Sequence, residues 1–436
     1  SLKILINMDA KTKDETVFSL KETIEGGKEL LKMGNRYFLD AQIDRDRMGE
    51  ILFTSGTTGV AKGVMLSQGN IVEDLMAAPT LLKVEPEDIF FSVLPIHHTY
   101  ECTCGFLMPI YKGASVAYCE GLKYIVKNLS EVRPTMFLGV PLIFESLYKK
   151  IWQNAKKTGK EKMLKKMIAI NNKTKKVGIN LGPLFLKQIT ALFGGRMRMM
   201  ICGGAAIDPT ILQGLRDFGI MALQGYGLTE CAPICALNPD RYSKNTSAGY
   251  PLPGFDVKIH EPDPDTGIGE ICTKGANVML GYYKDPEGTA EVLKDGWFYT
   301  GDLGYLDEES YVFITGRRKN VIITKNGKNV FPEEIEYYIN KIPYVEESLV
   351  WAKESKDGGD TIIAATLRIA EEEVKEQLGE KGSMAALEAL LWKEMDCLNK
   401  ELPYFKRIKK IVVKKTEFEK TTGKKIKRFV ESNKGE

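Results

Sequence analysis

No Cys-x-x-Cys pair occurs anywhere in the 436 residues, and histidine is limited to His97, His98 and His260. A structural zinc site normally gathers four such ligands at tight spacing, so the sequence argues against one. The eight cysteines are scattered, with Cys102-x-Cys104 and Cys231-x3-Cys235 as the close pairs. That usage fits reduced thiols in a cytosolic compartment better than a disulfide scaffold. Long apolar runs are also missing. Met136 to Phe144 is interrupted by Gly139 and Pro141 and falls well short of the ~20 apolar residues of a membrane-spanning helix. The opening Ser1-Leu2-Lys3-Ile4 has neither the regions nor the cleavage site of a signal peptide. It also lacks an initiator methionine, so the sequence is expected to be part of a longer protein. Charge of one sign is not in excess: 61 Lys and Arg face 58 Asp and Glu, for a net +3. Nothing global draws the chain to nucleic acid, and any attraction to phosphate or membrane must be local.

What is present describes a folded protein of two or three domains. Apolar residues make up 43 % and charged residues 27 %, which excludes a mainly disordered or fibrous chain. Strand-like runs at Lys3 to Met8, Glu50 to Phe53, Asp88 to Pro95, Ser115 to Tyr118, Thr135 to Leu138 and Met197 to Ile201 alternate with helix-like segments. One such segment covers Asn70 to Leu82, and another begins at Asp208-Pro209 with a capping Asp and a first-turn Pro. This is the spacing of an α/β fold. From Trp297 onward the texture changes. Strands near Tyr311 to Thr315, Val321 to Thr324, Thr361 to Leu367 and Ile408 to Val413 mix with helices near Pro332 to Asn340 and Met384 to Lys400. A small α+β domain is expected over 317–436, after a large domain over 1–316.

Residues 146–193 differ again, with eleven lysines between Lys149 and Lys176. Leu164, Met167, Ile168 and Ile170 add apolar surface within that run. Either a helical hairpin with a solvated basic face or a membrane-surface helix would have this pattern.

Five segments carry the look of chemistry. Thr54-Ser55-Gly56-Thr57-Thr58-Gly59, followed by Lys62-Gly63, offers backbone N–H groups, hydroxyls and a cation, as a phosphate cradle would. It lacks Walker A spacing, and a surface turn would read the same. Gln224-Gly225-Tyr226-Gly227-Leu228-Thr229-Glu230 places an aromatic between two glycines. They would allow close backbone approach of a flat ring, although a packed core aromatic is the alternative. Glu230 could hold magnesium, a lone carboxylate being a weak signal. In Trp297-Phe298-Tyr299-Thr300-Gly301-Asp302 the Asp sits at a glycine turn, suited to ribose hydroxyls or merely to an Asx turn. Gly316-Arg317-Arg318-Lys319 is a charged turn near the expected domain junction. Glu419 to Arg428 is basic and turn-like, as a solvated tail would be.

Taken in order, these blocks together with Leu94-Pro95-Ile96-His97-His98-Thr99-Tyr100-Glu101 resemble the adenylate-forming superfamily, and within it the long-chain fatty-acid:CoA ligases. The resemblance runs over nearly the whole chain. It implies a large multi-subdomain α/β domain with mixed sheets, a small mobile C-terminal lid, and a substantial stretch of large domain before the point where this sequence starts. It also implies ATP, Mg2+ and CoA as cofactors or co-substrates and a fatty acid as substrate. Thr54, Ser55, Gly56, Thr57, Thr58, Gly59 and Lys62 would wrap the ATP β- and γ-phosphates, and the change to Ala61 from the usual Pro before Lys62 should be mild. His98 would lie beside the acyl and thiol tunnel. Gly203, Gly204 and Ala205 would line the adenine and acyl sites. Tyr226, flanked by Gly227, would stack on adenine. Thr229 would contact the α-phosphate and Glu230 would bind the metal. Asp302 and Arg317 would hold ribose, and Lys319 would mark the hinge. Aligning the family's C-terminal motif without gaps on Lys420 to Arg428 makes Lys425 the adenylating lysine, whereas matching Gly423-Lys424 would choose Lys424.

The implied reaction gives acyl-CoA, AMP and diphosphate, in a cytoplasmic protein with peripheral contact to the inner membrane surface through its basic helices. Other classes share parts of the pattern: an adenylation domain loading a carrier protein, a luciferase-like oxygenase, or an inactive acyl- or nucleotide-binding fragment.

Overall fold

The computed structural model describes residues 5–9, 17–54, 61–175, 177–179, 181, 187–353, 361–379, 383–420 and 426–435. Two compact units divide at Arg47 and Met48. In the first, the parallel strands Leu5–Asn7 and Val17–Ser19 precede the helix Leu20–Lys32, none of whose residues is buried.

The second unit is built on a seven-stranded sheet. Its order is Tyr250–Pro251, Ile234–Leu237, Met221–Gly227, Met199–Cys202, Met136–Gly139, Ile89–Ser92 and Ser115–Tyr118. The last five are mutually parallel, and Ile234–Leu237 turns back antiparallel on Met221–Gly227. Parallel strands need crossovers, and helices on both faces make the strands apolar throughout. Both consequences are visible. Phe91, Phe137, Met200, Cys202 and Ala222 point into one core, shared with Ile125, Leu129, Phe144, Leu147, Ile151, Leu164 and Leu215 from helices. Their neighbours Phe90, Met136, Leu138, Met199, Ile201 and Leu223 point into the other, shared with Leu75, Ala78, Cys104 and Met108. Each strand thus alternates between two cores, with a period of two.

The helix expected over Asn70 to Leu82 runs Gln68–Leu81 and starts two residues earlier, because Ser67 and Asn70 form a reciprocal capping box of 3.1 and 2.8 Å. Asp208 likewise caps Pro209–Asp217 through the Thr210 N–H at 2.7 Å. The lysine-rich stretch forms the helices Pro141–Lys157 and Glu161–Lys175, with Phe144, Leu147, Ile151, Ala155 and Leu164 buried in the first core. Lys150, Lys156, Lys157, Lys160, Lys162, Lys165, Lys166 and Lys173 are exposed, as a hairpin with a solvated basic face requires. Among the described residues no helix is long and apolar enough to cross a membrane.

Beyond the main sheet, an antiparallel sheet joins Asp256–His260, Gly269–Lys274, Trp297–Leu306 and Leu293–Lys294, with Val312–Arg317 added to Trp297–Leu306. A smaller sheet pairs Gly281–Tyr282, Lys62–Ser67 and Met48–Thr54. The smaller C-terminal subdomain has Val345–Lys353, Ile362–Ile369 and Ile408–Lys414 in one sheet. Its main core spans residues from Ile322 to Val413, and a smaller cluster on the same sheet joins Leu349, Trp351 and Ala364 with Phe418 and Ile426.

Gln224 to Gly227 belongs to Met221–Gly227, an interior strand of the main sheet. Two local expectations are corrected. Asp302 lies within the ten-residue strand Trp297–Leu306 rather than on a turn, since it pairs with Arg317 across the ladder. Gly316 and Arg317 close the strand Val312–Arg317, and the turn is limited to the short 3-10 helix Arg318–Asn320.

Candidate active site

Several of the residues singled out in the sequence lie at the carboxyl ends of the parallel strands, where open α/β sheets place their ligands. His97 and His98 follow Ile89–Ser92, Gly203 to Ala205 follow Met199–Cys202, and Thr229 with Glu230 follow Met221–Gly227.

One cluster is held by two strands of different sheets. The Tyr226 hydroxyl donates to Asp302 Oδ2 at 2.8 Å, and Arg317 Nε pairs with Oδ1 at 2.9 Å. Asp302 is 4 % exposed, so its carboxylate has both oxygens engaged in a low-dielectric setting. Burial first, and then the Asp302 charge, pushes the Tyr226 phenol well above its usual range, which keeps the hydroxyl a donor. Tyr226 is itself packed among Val64, Leu66, Ala232 and Phe298. The glycines beside it serve the backbone: a Cβ on Gly227 would lie 1.8 Å from the Pro233 carbonyl oxygen, so only glycine lets the return strand approach. Glu270 supports the Asp302 strand from the side. Its Oε1 accepts from the Gly301 N–H at 2.9 Å, and its Oε2 pairs with Arg318 Nη1 at 2.6 Å.

A second cluster gathers around Glu230, on the 3-10 turn Thr229–Cys231. Its Oε1 accepts from the Tyr282 hydroxyl at 2.9 Å. Lys62 stands over the Tyr282 ring, 4.4 Å from its centre, and 3.5 Å from Asp285 Oδ2. Burial and then the Glu230 charge drive the Tyr282 hydroxyl strongly upward, so it too remains a donor. Glu230 and Lys62 are therefore joined through one tyrosine, with opposite charges on its two sides.

The third group lies on the other flank of this edge. The His97 and His98 rings are 4.6 Å apart, and burial, then the neighbouring His97, lowers the His98 pKa. The π-helical segment Tyr100–Leu107 follows directly. Tyr100 donates to the Ile201 carbonyl at 2.8 Å, and its ring fills the space where a Gly203 Cβ would stand, 2.8 Å from Cζ. Gly204 and Ala205 are exposed. Glu101, 1 % exposed, accepts a short hydrogen bond from Ser92 Oγ, and burial raises its pKa to about 7 against the Ser92 and Leu94 hydrogen bonds.

Thr54 ends its strand opposite Lys62, and Lys319 is exposed on the 3-10 turn. Ser55, Gly56, Thr57, Thr58 and Gly59 lie outside the described residues, as do Lys424 and Lys425. Lys420 and Ile426, on either side of the latter, form an antiparallel bridge. Sequence reasoning missed Tyr282, Glu270 and Glu101. Glu101 stood in a quoted block, but the other two are single residues whose importance comes from partners 52 and 31 positions away.

The fold is that of a mixed α/β protein with a tyrosine–aspartate–arginine cluster and a glutamate–tyrosine–lysine group on neighbouring elements. The AMP-binding enzyme family model matches residues 3–283, and the chain belongs to that family. It is 30 % identical over 374 residues to "Long chain acyl-CoA synthetase 7, peroxisomal" of Arabidopsis thaliana, covering 80 % of this chain and 53 % of that protein. It is 33 % identical to "Long-chain-fatty-acid--CoA ligase 6" of Rattus norvegicus, over 69 % of this chain and 46 % of that one. The chain thus spans about half the length of the curated relatives it matches. Among solved structures, ATP-bound MatB from Rhodopseudomonas palustris superposes with a TM-score of 0.67 at 27 % identity, over 88 % of this chain and 67 % of that chain.

Proposed function

We propose that this chain is the nucleotide- and acyl-binding body, with the C-terminal lid, of an ATP-dependent ligase. The enzyme would activate a long-chain fatty acid as its adenylate and pass the acyl group to CoA, releasing diphosphate and AMP. The observation that carries this reading is the buried Asp302, tied to Tyr226 and Arg317 beside the Glu230–Tyr282–Lys62 group, on the ligand-binding edge of the sheet. Two of the named relatives, both acyl-CoA synthetases or ligases of long-chain acids, supply the substrate class.

In this reading Asp302 accepts the ribose hydroxyls and Arg317 adds a donor, while Tyr226 fixes the carboxylate and stacks on adenine. The fatty carboxylate attacks the α-phosphorus in line, and diphosphate leaves. Positioning and charge neutralisation carry such a step. Thr229 contacts the α-phosphate, and Lys62 with the loop from Thr54 to Gly59 holds the β- and γ-phosphates. Glu230 fits magnesium, because that ion binds through one or two carboxylates plus substrate phosphates and keeps several waters; when bound, it supplies positive charge at the phosphoryl oxygens. Lys425, with Lys424 as its rival, contributes a cation from the lid. The thiol needs the same carbonyl, so the lid, hinged near Lys319 at a junction about residue 317, rotates to admit CoA past His98. The exposed lysine face of Pro141–Lys157 and Glu161–Lys175 would suit peripheral contact with anionic lipid, which co-sedimentation with neutral and anionic liposomes would test.

The test is acid-dependent AMP and diphosphate formation, with and without CoA, across acid chain lengths. Activity peaking at long chains and thioester formation only with CoA are expected. A peak at acetate removes the long-chain assignment. Transfer to a carrier protein in preference to CoA makes it a loading domain, and binding without diphosphate release makes it an inactive fragment. Lys425→Ala should cripple adenylation yet spare thioester formation from supplied acyl-adenylate. Lys424→Ala doing so instead would move the role to Lys424.

A further inference from the structure

The turn that carries Thr229 and Glu230 has every backbone carbonyl from Leu228 to Ile234 engaged. Leu228, Thr229 and Pro233 accept from within the turn itself, from Cys231, Ala232 and Leu228 N–H at 2.9, 3.3 and 2.9 Å. The Glu230 carbonyl accepts from the Met279 N–H at 2.8 Å. The other three are taken by side chains from outside. Thr103 Oγ1 donates to the Ala232 carbonyl at 2.9 Å. Asn277 Nδ2 donates to the Cys231 and Ile234 carbonyls at 3.0 and 2.8 Å. Asp74 completes the frame by accepting the Ile234 N–H at 2.7 Å and facing Asn277 Nδ2 at 3.2 Å. All three side chains are fully buried.

Asn277 shows how specific this frame is. The three atoms around its Nδ2 are all acceptors, so the amide has one sensible orientation. That orientation leaves its Oδ1 buried with no partner among the described residues. A buried acceptor left unmatched is a cost, and a residue chosen only for packing would not carry it. The clamp is also spread across the fold. Asp74 comes from the helix Gln68–Leu81, Thr103 from the π-helical segment and Asn277 from the loop before Gly281–Tyr282. That last loop also delivers Tyr282 to Glu230. The backbone on which Glu230 stands and the hydroxyl that holds its side chain are therefore set by one loop and by the short strand that directly follows it.

The geometry points to Asp74, Thr103 and Asn277 as positioning residues that hold the Thr229–Glu230 turn in the place where it meets the metal and the α-phosphate. This rests on the roles given to Thr229 and Glu230 under the proposed function. None of the three touches the reacting atoms. They act by denying the turn any alternative backbone arrangement, and small displacements of such groups are expensive in rate.

The test uses the intact protein with ATP, a long-chain acid and Mg2+, reading ATP–diphosphate exchange against Mg2+ concentration for Asn277→Ala, Thr103→Val and, as reference, Glu230→Gln. Thr103→Val is nearly the same shape and removes one hydrogen bond, so it decides the matter where Asn277→Ala does not fold. The expected result for each folded variant is an exchange rate lowered by about tenfold, a Mg2+ requirement raised several-fold, and an unchanged KM for the acid. A Mg2+ requirement that stays at the wild-type value in Thr103→Val, while Glu230→Gln raises it, overturns the proposal. Exchange that is normal in Glu230→Gln overturns it by a different route, because the role assigned to Glu230 has then failed.

Discussion

Tyr226 and Asp302, 76 positions apart, meet through a buried hydrogen bond of 2.8 Å that ties the main sheet to the neighbouring antiparallel one. The donor cannot ionise near neutrality, since burial and the Asp302 charge both oppose it. The carboxylate is thus presented in one orientation, with Arg317 on its other oxygen. The bond belongs to the site as much as to the fold.

Tyr226→Phe removes that donor and leaves the ring. A hydrogen bond to a charged group contributes about 1.5–3 kcal/mol, so the KM for ATP should rise on the order of tenfold while kcat changes little. Steady-state kinetics with ATP as the varied substrate measures this. An unchanged KM would mean that Asp302 does not hold the nucleotide.

Glu270 is 4 % exposed and accepts from the Gly301 N–H. Its partner Arg318 is 63 % exposed, so little of its value comes from that ion pair. Glu270→Gln keeps an acceptor for Gly301, whereas Glu270→Ala keeps none. Denaturant unfolding should show Glu270→Ala less stable by about 1–3 kcal/mol and Glu270→Gln less affected. The same order is expected in the KM for ATP. Equal behaviour of the two would show that the Gly301 bond is not what matters.

Glu101 predicts a pH effect whose sign follows from burial. Its folded pKa of about 7 lies above the ordinary 4.5, so the folded state retains a proton that the unfolded chain releases. Stability from this group is complete below about pH 4.5, falls as pH rises toward 7, and is level above it. Glu101→Gln cannot release a proton and should flatten that part of the profile. The measurement is the wild-type minus variant difference in unfolding free energy from pH 4.5 to 8. A difference that stays constant across the range would refute the assignment.

Much of this was legible from the sequence because it is spelled locally. Capping at Asp208 and the apolar strands of the main sheet are local patterns, and so is the Tyr226 block. Asp302 was singled out by its block, but its strand was misread as a turn. Gly301 and Gly304 suggested a loop, whereas a Cβ on Gly304 would stand 2.0 Å from the Phe313 carbonyl oxygen, so the glycine serves strand approach. Tyr282, Asp74 and Asn277 could not be found at all by pattern. Each is an ordinary residue in an ordinary stretch, and its meaning comes from partners that only the folded chain brings within 3.2 Å.

Arg428 closes the C-terminal motif, and its role in the fold can be separated from the chemistry assigned to Lys425. Its guanidinium grips Glu336 in a two-pronged pair, with Nη1 donating to Oε1 at 2.8 Å and Nη2 to Oε2, and Nη1 also reaches the Val350 carbonyl at 3.3 Å. Glu336, 8 % exposed, accepts the Val350 N–H at 2.6 Å as well. Burial raises its pKa even with Arg428 present, so the pair only partly offsets the cost of placing a charge there. Arg428→Met leaves that carboxylate buried and unpaired, which should cost about 3–5 kcal/mol. The double variant Arg428→Met with Glu336→Met should recover most of the loss. With Arg428 gone the folded pKa of Glu336 rises further, so the single variant's deficit should be greatest at high pH and shrink as pH falls toward 4.5. Denaturant unfolding of the three proteins at pH 5 and 8 tests this. A deficit that the second substitution does not relieve, or that grows on acidification, would show that Arg428 stabilises the subdomain by some means other than Glu336.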